Sequence, residues 1–123
     1  MDAPLAETLR QGAWVRPENR WQDAPNSIHN DDVARAVGMR AGTIPGTVHL
    51  DHFRPLMDEL FGDRWPIDGA ISMYYTFATS HREEVRAVIN APPGRCWDSD
   101  AIFPAWIETP EGKTVAKGTV SVG

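Results

Sequence analysis

The chain has one cysteine, Cys96, in 123 residues, so no disulfide can close within it. A lone thiol fits a reducing compartment, and a cytoplasmic setting is the expectation. No apolar run approaches the roughly 20 residues that cross a bilayer, so no membrane partner is expected. The opening Met1-Asp2-Ala3-Pro4-Leu5-Ala6-Glu7 is acidic and lacks the basic-then-apolar order of an export signal. Cations are the minority charge, 12 Lys and Arg against 17 Asp and Glu, giving a net charge of −5. They are also scattered: Arg35, Arg40, Arg54, Arg64, Arg82, Arg86 and Arg95 form no run. Nucleic-acid binding needs a clustered basic face to neutralise phosphates, so that class is set aside. Repeats and low-complexity tracts are absent as well.

Hydrophobic residues make up 41% and charged residues 24%, which excludes a disordered chain. The length suits a single domain, 1–123, with residues 1–11 as a loose or helical lead-in. Five tryptophans are many for this length, and large aromatics suit a core or an interface, so oligomerisation is expected.

Gly12–Arg16 reads as a short strand stopped by Pro17, and residues 17–28 as an ordered loop. Asn30 can cap a short helix, with Asp31 and Asp32 in its first turn and Gly38 as its stop. Residues 47–61 carry the best helical pattern: Val48, Phe53, Leu56, Met57, Leu60 and Phe61 recur at steps of one to five, and Gly62 ends it. Pro55 predicts a kink or a loosened first half. From residue 70 the period is two. Ile71, Met73, Tyr75 and Phe77 give one face of a strand, and Val85, Ala87 and Ile89 a second strand. Residues 95–108 read as a third strand in which Pro104 places a bulge or an edge, and residues 114–122 as the last. A helix followed by an antiparallel meander makes a two-layer α+β domain whose open sheet edges invite a partner.

Three segments carry a resemblance: Asn26-Ser-Ile-His-Asn-Asp-Asp-Val-Ala-Arg-Ala-Val-Gly38, Ala41-Gly-Thr-Ile-Pro-Gly46 with Arg54-Pro-Leu after it, and the final Gly112–Val122 strand. Together they resemble the MaoC-like hotdog family, which includes (R)-specific enoyl-CoA hydratases and dehydratases. The resemblance covers residues 12–122. It implies a hotdog fold, an antiparallel sheet wrapped around a long central helix and dimerising by sheet pairing. It also implies binding of an acyl thioester of CoA or acyl carrier protein between protomers. In that family an Asp and a His share the catalytic water, and a backbone N–H at the helix start holds the thioester oxygen. His29 matches the His, Asp31 the acid two places on, Asn26 the Asn three places before, and Gly46 the helix-initiating glycine. The position five before the His is Ala24, and Asp23 lies one residue further. The family's His beside the helix glycine is Pro45 here.

The candidate catalytic residues are therefore His29, as proton donor, and Asp23, as base. Asn26, Gly46, Thr47, His49 and His52 are the candidate substrate-binding residues, with the Gly46 N–H as oxyanion donor. The residues alone also allow His29 to cap the first helix, and Asn26 to order the loop. Asp31 reads as a helix-terminus charge. His49 and His52 stand three apart on one helix face, but two imidazoles without a third ligand do not make a metal site, and no metal or cofactor is expected. Tyr74 and Tyr75 should point to opposite faces, one of them into the core and the other toward a pocket or a dimer seam. Arg82 and Arg86 could meet a phosphate or simply be solvated. Trp97, Trp106 and Cys96 read as packing residues.

The expected function is hydration or dehydration of an enoyl or 3-hydroxyacyl thioester by a homodimer or larger assembly. Two alternatives stand beside it. One is a hotdog thioesterase with Asp51 as its acid. The other is a non-catalytic acyl-binding subunit that pairs with another hotdog chain.

Overall fold

The computed structural model describes residues 9–20, 24–92 and 100–123. Among these residues eleven elements give a sheet of five antiparallel strands and a helical run packed on one of its faces. The strands are β1 (Leu9–Gln11), β2 (Gly69–Tyr75), β3 (Arg86–Asn90), β4 (Ala101–Glu108) and β5 (Thr114–Val122), in the spatial order β1-β3-β4-β5-β2. The helices are α1 (Asp31–Ala36), α2 (Gly46–Leu50), α3 (Arg54–Phe61) and α4 (Trp65–Asp68).

Asn30 caps α1, its carboxamide oxygen accepting from the N–H groups of Asp32 and Val33. The long helix is a broken run. Between α2 and α3 the backbone tightens into a 3₁₀ turn, Asp51–Phe53. Pro55 is the physical reason: it lacks an N–H, so it belongs in a helix's first turn, and α3 restarts at Arg54 with Pro55 there. The expected loosening thus takes the form of a restart. Gly62 closes α3 at φ 58°, in the left-handed region a glycine enters freely. A further 3₁₀ turn and α4 then carry the run to Asp68, beyond its expected end.

Phe53, Leu56, Met57, Leu60 and Phe61 are buried against the concave face of the sheet. From the sheet come Ala87, Ile89, Ala105, Ile107, Ala116, Val120 and Val122. Each large side chain removed from water contributes roughly 1.5–3 kcal/mol. Phe61 stacks on Phe103 with centroids 6.0 Å apart. Gly118 permits the sheet's tight coil, since a Cβ there would run into the backbone carbonyl of Ser72 on β2.

Alternation predicted the sheet well, and the differences lie at its margins. The N-terminal strand is Leu9–Gln11 on β3, while the expected 12–16 segment holds only an isolated bridge, Val15 to Val85. β4 begins at Ala101, and Trp97 and Cys96 lie outside the described residues. Pro104 pairs with Thr119 on β5, and the β3 ladder ends one residue away at Ala105, so a strand residue without an N–H is tolerated there. Among the described residues β2 pairs with β5 alone and is an open edge of seven residues.

Candidate active site

The segment 42–44 crosses between α1 and α2 and ties three loops together. The Thr43 N–H donates to Ile28 O at 2.9 Å, and the Ile44 N–H to Thr79 O at 2.8 Å. Gly42 lies so close to the His29 carbonyl that a side chain would collide with it. Its N–H donates to the Asp31 carboxylate at 2.8 Å. Asp31 therefore sits in the first turn of α1, as its sequence position implies, and also anchors the loop that follows.

His29 is fixed by the same segment. Its Nδ1 lies 2.7 Å from the Thr43 carbonyl oxygen, which can only accept, so Nδ1 carries the hydrogen. The Thr43 hydroxyl oxygen, at 3.2 Å, is a second acceptor for it. In the neutral ring this leaves Nε2 with a free lone pair. Asn19, 3% exposed, supports the loop: its side-chain amide donates to the His29 carbonyl at 2.8 Å, and its backbone N–H donates to His81 Nδ1 at 2.8 Å. The cap of α1 is Asn30, and the His29 ring is turned to Thr43.

His29 lines a cavity of about 440 Å³. Gly46, His49, Tyr75 and Thr79 line it too, with Ile28, Met39, Ile44 and Phe77 as apolar walls. Gly46 starts α2 against Tyr75. The Tyr75 hydroxyl donates to Gly46 O at 2.7 Å, and a Cβ on residue 46 would stand 2.7 Å from the ring. Burial raises the Tyr75 phenol's pKa.

One turn on, His49 is 2% exposed. Its Nε2 meets the Thr79 hydroxyl at 2.8 Å, and its Nδ1 meets His52 Nε2 at 3.2 Å. Burial, with a smaller push from His52, lowers the His49 pKa to about 4, so the ring is neutral near pH 7. Burial also lowers His52, against the opposing pull of Asp51. Among the described residues no third ligand joins these imidazoles in a metal-binding group.

The fold therefore brings His29, Gly46 and His49 to one cavity. Asn26, exposed and at φ 56°, is not in its wall; neither are Thr47 and His52. Asp23 lies outside the described residues. Asp51 is exposed at the C-terminal end of α2. Tyr74, on β2's other face, is 75% exposed and Tyr75 is 48% exposed at the cavity, so neither tyrosine is the core residue that alternation suggested: β2 is an outer strand whose faces are covered only in part. Trp106 is half-buried on the outer sheet face, its indole N–H donating to Glu108 at 2.6 Å. Arg86 is paired with Glu108 at 2.8 Å and lies over Trp14, and Arg82 lies 3.5 Å from Glu18, so both arginines are spoken for outside the cavity. Thr43, Thr79 and Asn19 carry no motif of their own; only their backbone placement brings them to the site.

No protein-family model and no curated protein matches the sequence. Solved structures do match the fold. An (R)-hydratase from A. caviae involved in PHA biosynthesis superposes with a TM-score of 0.64 at 15% identity, over 93% of this chain and 92% of that one. A monoamine oxidase regulatory protein from Archaeoglobus fulgius gives 0.62 at 9% identity, over 93% and 86%. The C-terminally truncated HadBC 3R-hydroxyacyl-ACP dehydratase complex from Mycobacterium tuberculosis gives 0.54 at 12% identity, over the full length of both chains. The chain has the hotdog fold, the architecture that the MaoC-like resemblance implied. No helix among the described residues is long and apolar enough to cross a membrane.

Proposed function

We propose that this hotdog-fold chain hydrates enoyl thioesters, or dehydrates 3-hydroxyacyl thioesters, in the cavity beside His29. The observation that carries the reading is the anchoring of His29 Nδ1 on the Thr43 carbonyl at 2.7 Å, which reserves Nε2 for chemistry in a largely apolar cavity. The names of two structural neighbours, an (R)-hydratase and a 3R-hydroxyacyl-ACP dehydratase, support the same reaction class.

In the proposed reaction a water oxygen bonds to Cβ of the enoyl group while the π electrons move toward the thioester. Because Nδ1 carries the hydrogen, Nε2 of His29 first takes a proton from that water and then returns it to Cα, so the proton donor expected from the sequence is here proposed to act as base as well, and the ring ends as it began. Asp23 is proposed to hold the water as the second acid–base group. The Gly46 N–H is proposed as donor to the oxygen that turns negative. Of the other candidates, His49 borders the same space, while Asn26, Thr47 and His52 would contribute by shaping its surroundings. The acyl group would come on CoA or on a carrier protein.

The assembly proposed is a dimer through β2. Its seven residues form an open edge among the described residues, and unpaired strand N–H and C=O groups favour pairing with another strand. A copy of this chain, or another hotdog chain, would supply that strand. The setting proposed is cytoplasmic, in keeping with the lone cysteine. The test is turnover of crotonyl-CoA, followed by loss of enoyl absorbance. Conversion by the wild type and its loss in His29→Ala are expected; equal rates in both proteins would remove His29 from the reaction.

A further inference from the structure

The buried His49 is not used in that reaction, and its surroundings are unusual for a cavity with apolar walls. Both ring nitrogens are engaged in line: Thr79 Oγ1 to His49 Nε2 at 2.8 Å, and His49 Nδ1 to His52 Nε2 at 3.2 Å. Thr79 is 2% exposed, and it and His49 line the cavity together. Burying a hydroxyl and an imidazole in apolar surroundings costs free energy unless they bond a partner, and here the half-buried His52 extends the pair to a chain of three. The order of the groups is that of a nucleophile, its base and the group that orients the base.

We propose that Thr79, His49 and His52 form an acyl-transfer triad, giving the cavity a second activity on acyl thioesters: transfer of the acyl group to the Thr79 hydroxyl, then hydrolysis. This rests on the reading that the cavity accepts acyl thioesters. In the first step Thr79 Oγ1 bonds to the thioester carbonyl carbon, His49 Nε2 takes the hydroxyl proton, and the carbon–sulfur bond breaks. The proton passes from Nε2 to the departing sulfur, so a neutral thiol leaves and an ester on Thr79 remains. In the second step water attacks that ester, Nε2 takes and returns a proton in the same way, and a carboxylic acid and free Thr79 result. No oxidant, reductant or metal is consumed.

For Nε2 to accept, the hydrogen of the neutral His49 ring must sit on Nδ1, and His52 Nε2 is the acceptor that holds it there. His52 touches only His49 in this scheme and is a positioning residue. Burial keeps His49 neutral near pH 7, so the lone pair facing Thr79 is present without prior deprotonation. A base this weak makes a slow catalyst, and the imidazolium forms only opposite the developing negative charge of the substrate.

A saturated thioester separates this activity from hydration, since butyryl-CoA has no double bond to hydrate. Full-length protein is incubated with butyryl-CoA, and free thiol release and intact protein mass are followed. Crotonyl-CoA hydration and equilibrium binding of butyryl-CoA are measured in parallel. The expected result is thiol release by the wild type, cut about 100-fold or more in Thr79→Val and retained in Thr79→Ser, whose hydroxyl remains. Where the second step is slower than the first, the wild type also gains the mass of a butyryl group on Thr79. His52→Ala should lower kcat about tenfold at unchanged KM, as expected when an orienting group rather than a binding contact is lost. Thiol release that is absent, or equal in wild type and Thr79→Val, while crotonyl-CoA is hydrated, overturns the triad and leaves the hydratase reading standing. A wild type that neither binds butyryl-CoA nor turns over either thioester overturns both.

Discussion

The Tyr75 hydroxyl donates to the Gly46 carbonyl at 2.7 Å, and the same ring occupies the space where a side chain on residue 46 would begin. The edge strand and the first turn of the central helix are thus locked at one point of the cavity wall. Gly46 is required there by a neighbour.

Gly46→Ala should therefore displace Tyr75. Overpacking of this kind costs about 1–3 kcal/mol. Tyr75→Phe, which keeps the ring and loses the hydrogen bond, should cost about 0.5–1.5 kcal/mol. Urea unfolding of the three proteins checks the order, and a Gly46→Ala variant as stable as Tyr75→Phe would contradict the steric account.

His29→Ala should reduce crotonyl-CoA turnover by about 10²–10⁴-fold, the usual contribution of a positioned acid–base group. The cavity is left in place, so binding of a saturated thioester should change little. Isothermal titration beside the rate assay distinguishes a chemical role from a packing one.

Stability should fall on acidification in a defined window. Unfolded His49 takes up a proton as pH drops through 6.5, whereas the folded ring, held down by burial and by His52, does so only near 4. The stabilisation is complete above pH 6.5 and is lost progressively toward pH 4, by up to about 3 kcal/mol from this residue. His52 shifts in the same direction, with Asp51 opposing it. Urea unfolding at pH 7 and pH 4.5 should show the drop in wild type, and His49→Phe should flatten it.

Asp31→Ala should loosen the loop that holds His29 without removing any group from the cavity. A charge-assisted bond to the Gly42 N–H is lost, worth about 1.5–3 kcal/mol. Faster amide exchange at Gly42 and Thr43 and a lower hydration rate are the expected readouts; unchanged exchange would separate Asp31 from the site.

Much of the architecture was legible in the sequence because it rests on periodicity. Val85, Ala87 and Ile89 alternate and are buried, and Leu56, Met57, Leu60 and Phe61 follow a helical face and fill the core. Asn30 and Gly62 announced their ends of helices by chemistry that is local. The short Leu9–Gln11 strand gave no such signal, since three residues are too few to show a period. At the site, His29 and Gly46 stood out through motif resemblance. Thr43 and Thr79 did not: Thr43 acts through its carbonyl, which every residue possesses, and Thr79 matters because a residue thirty positions earlier reaches it. Such pairings depend on how the segments cross, and one-dimensional spacing does not record that.

Phe77 stands in the cavity wall with the Arg40 guanidinium 4.9 Å and the Lys113 ammonium 5.1 Å from its ring centroid. Glu83 answers Arg40 at 2.7 Å, and no carboxylate among the described ion pairs answers Lys113. On a molecule whose net charge is −5, Lys113 is thus a local positive charge at this rim. Negatively charged solutes repelled by most of the surface are drawn toward this spot, and that guidance fades as ionic strength rises.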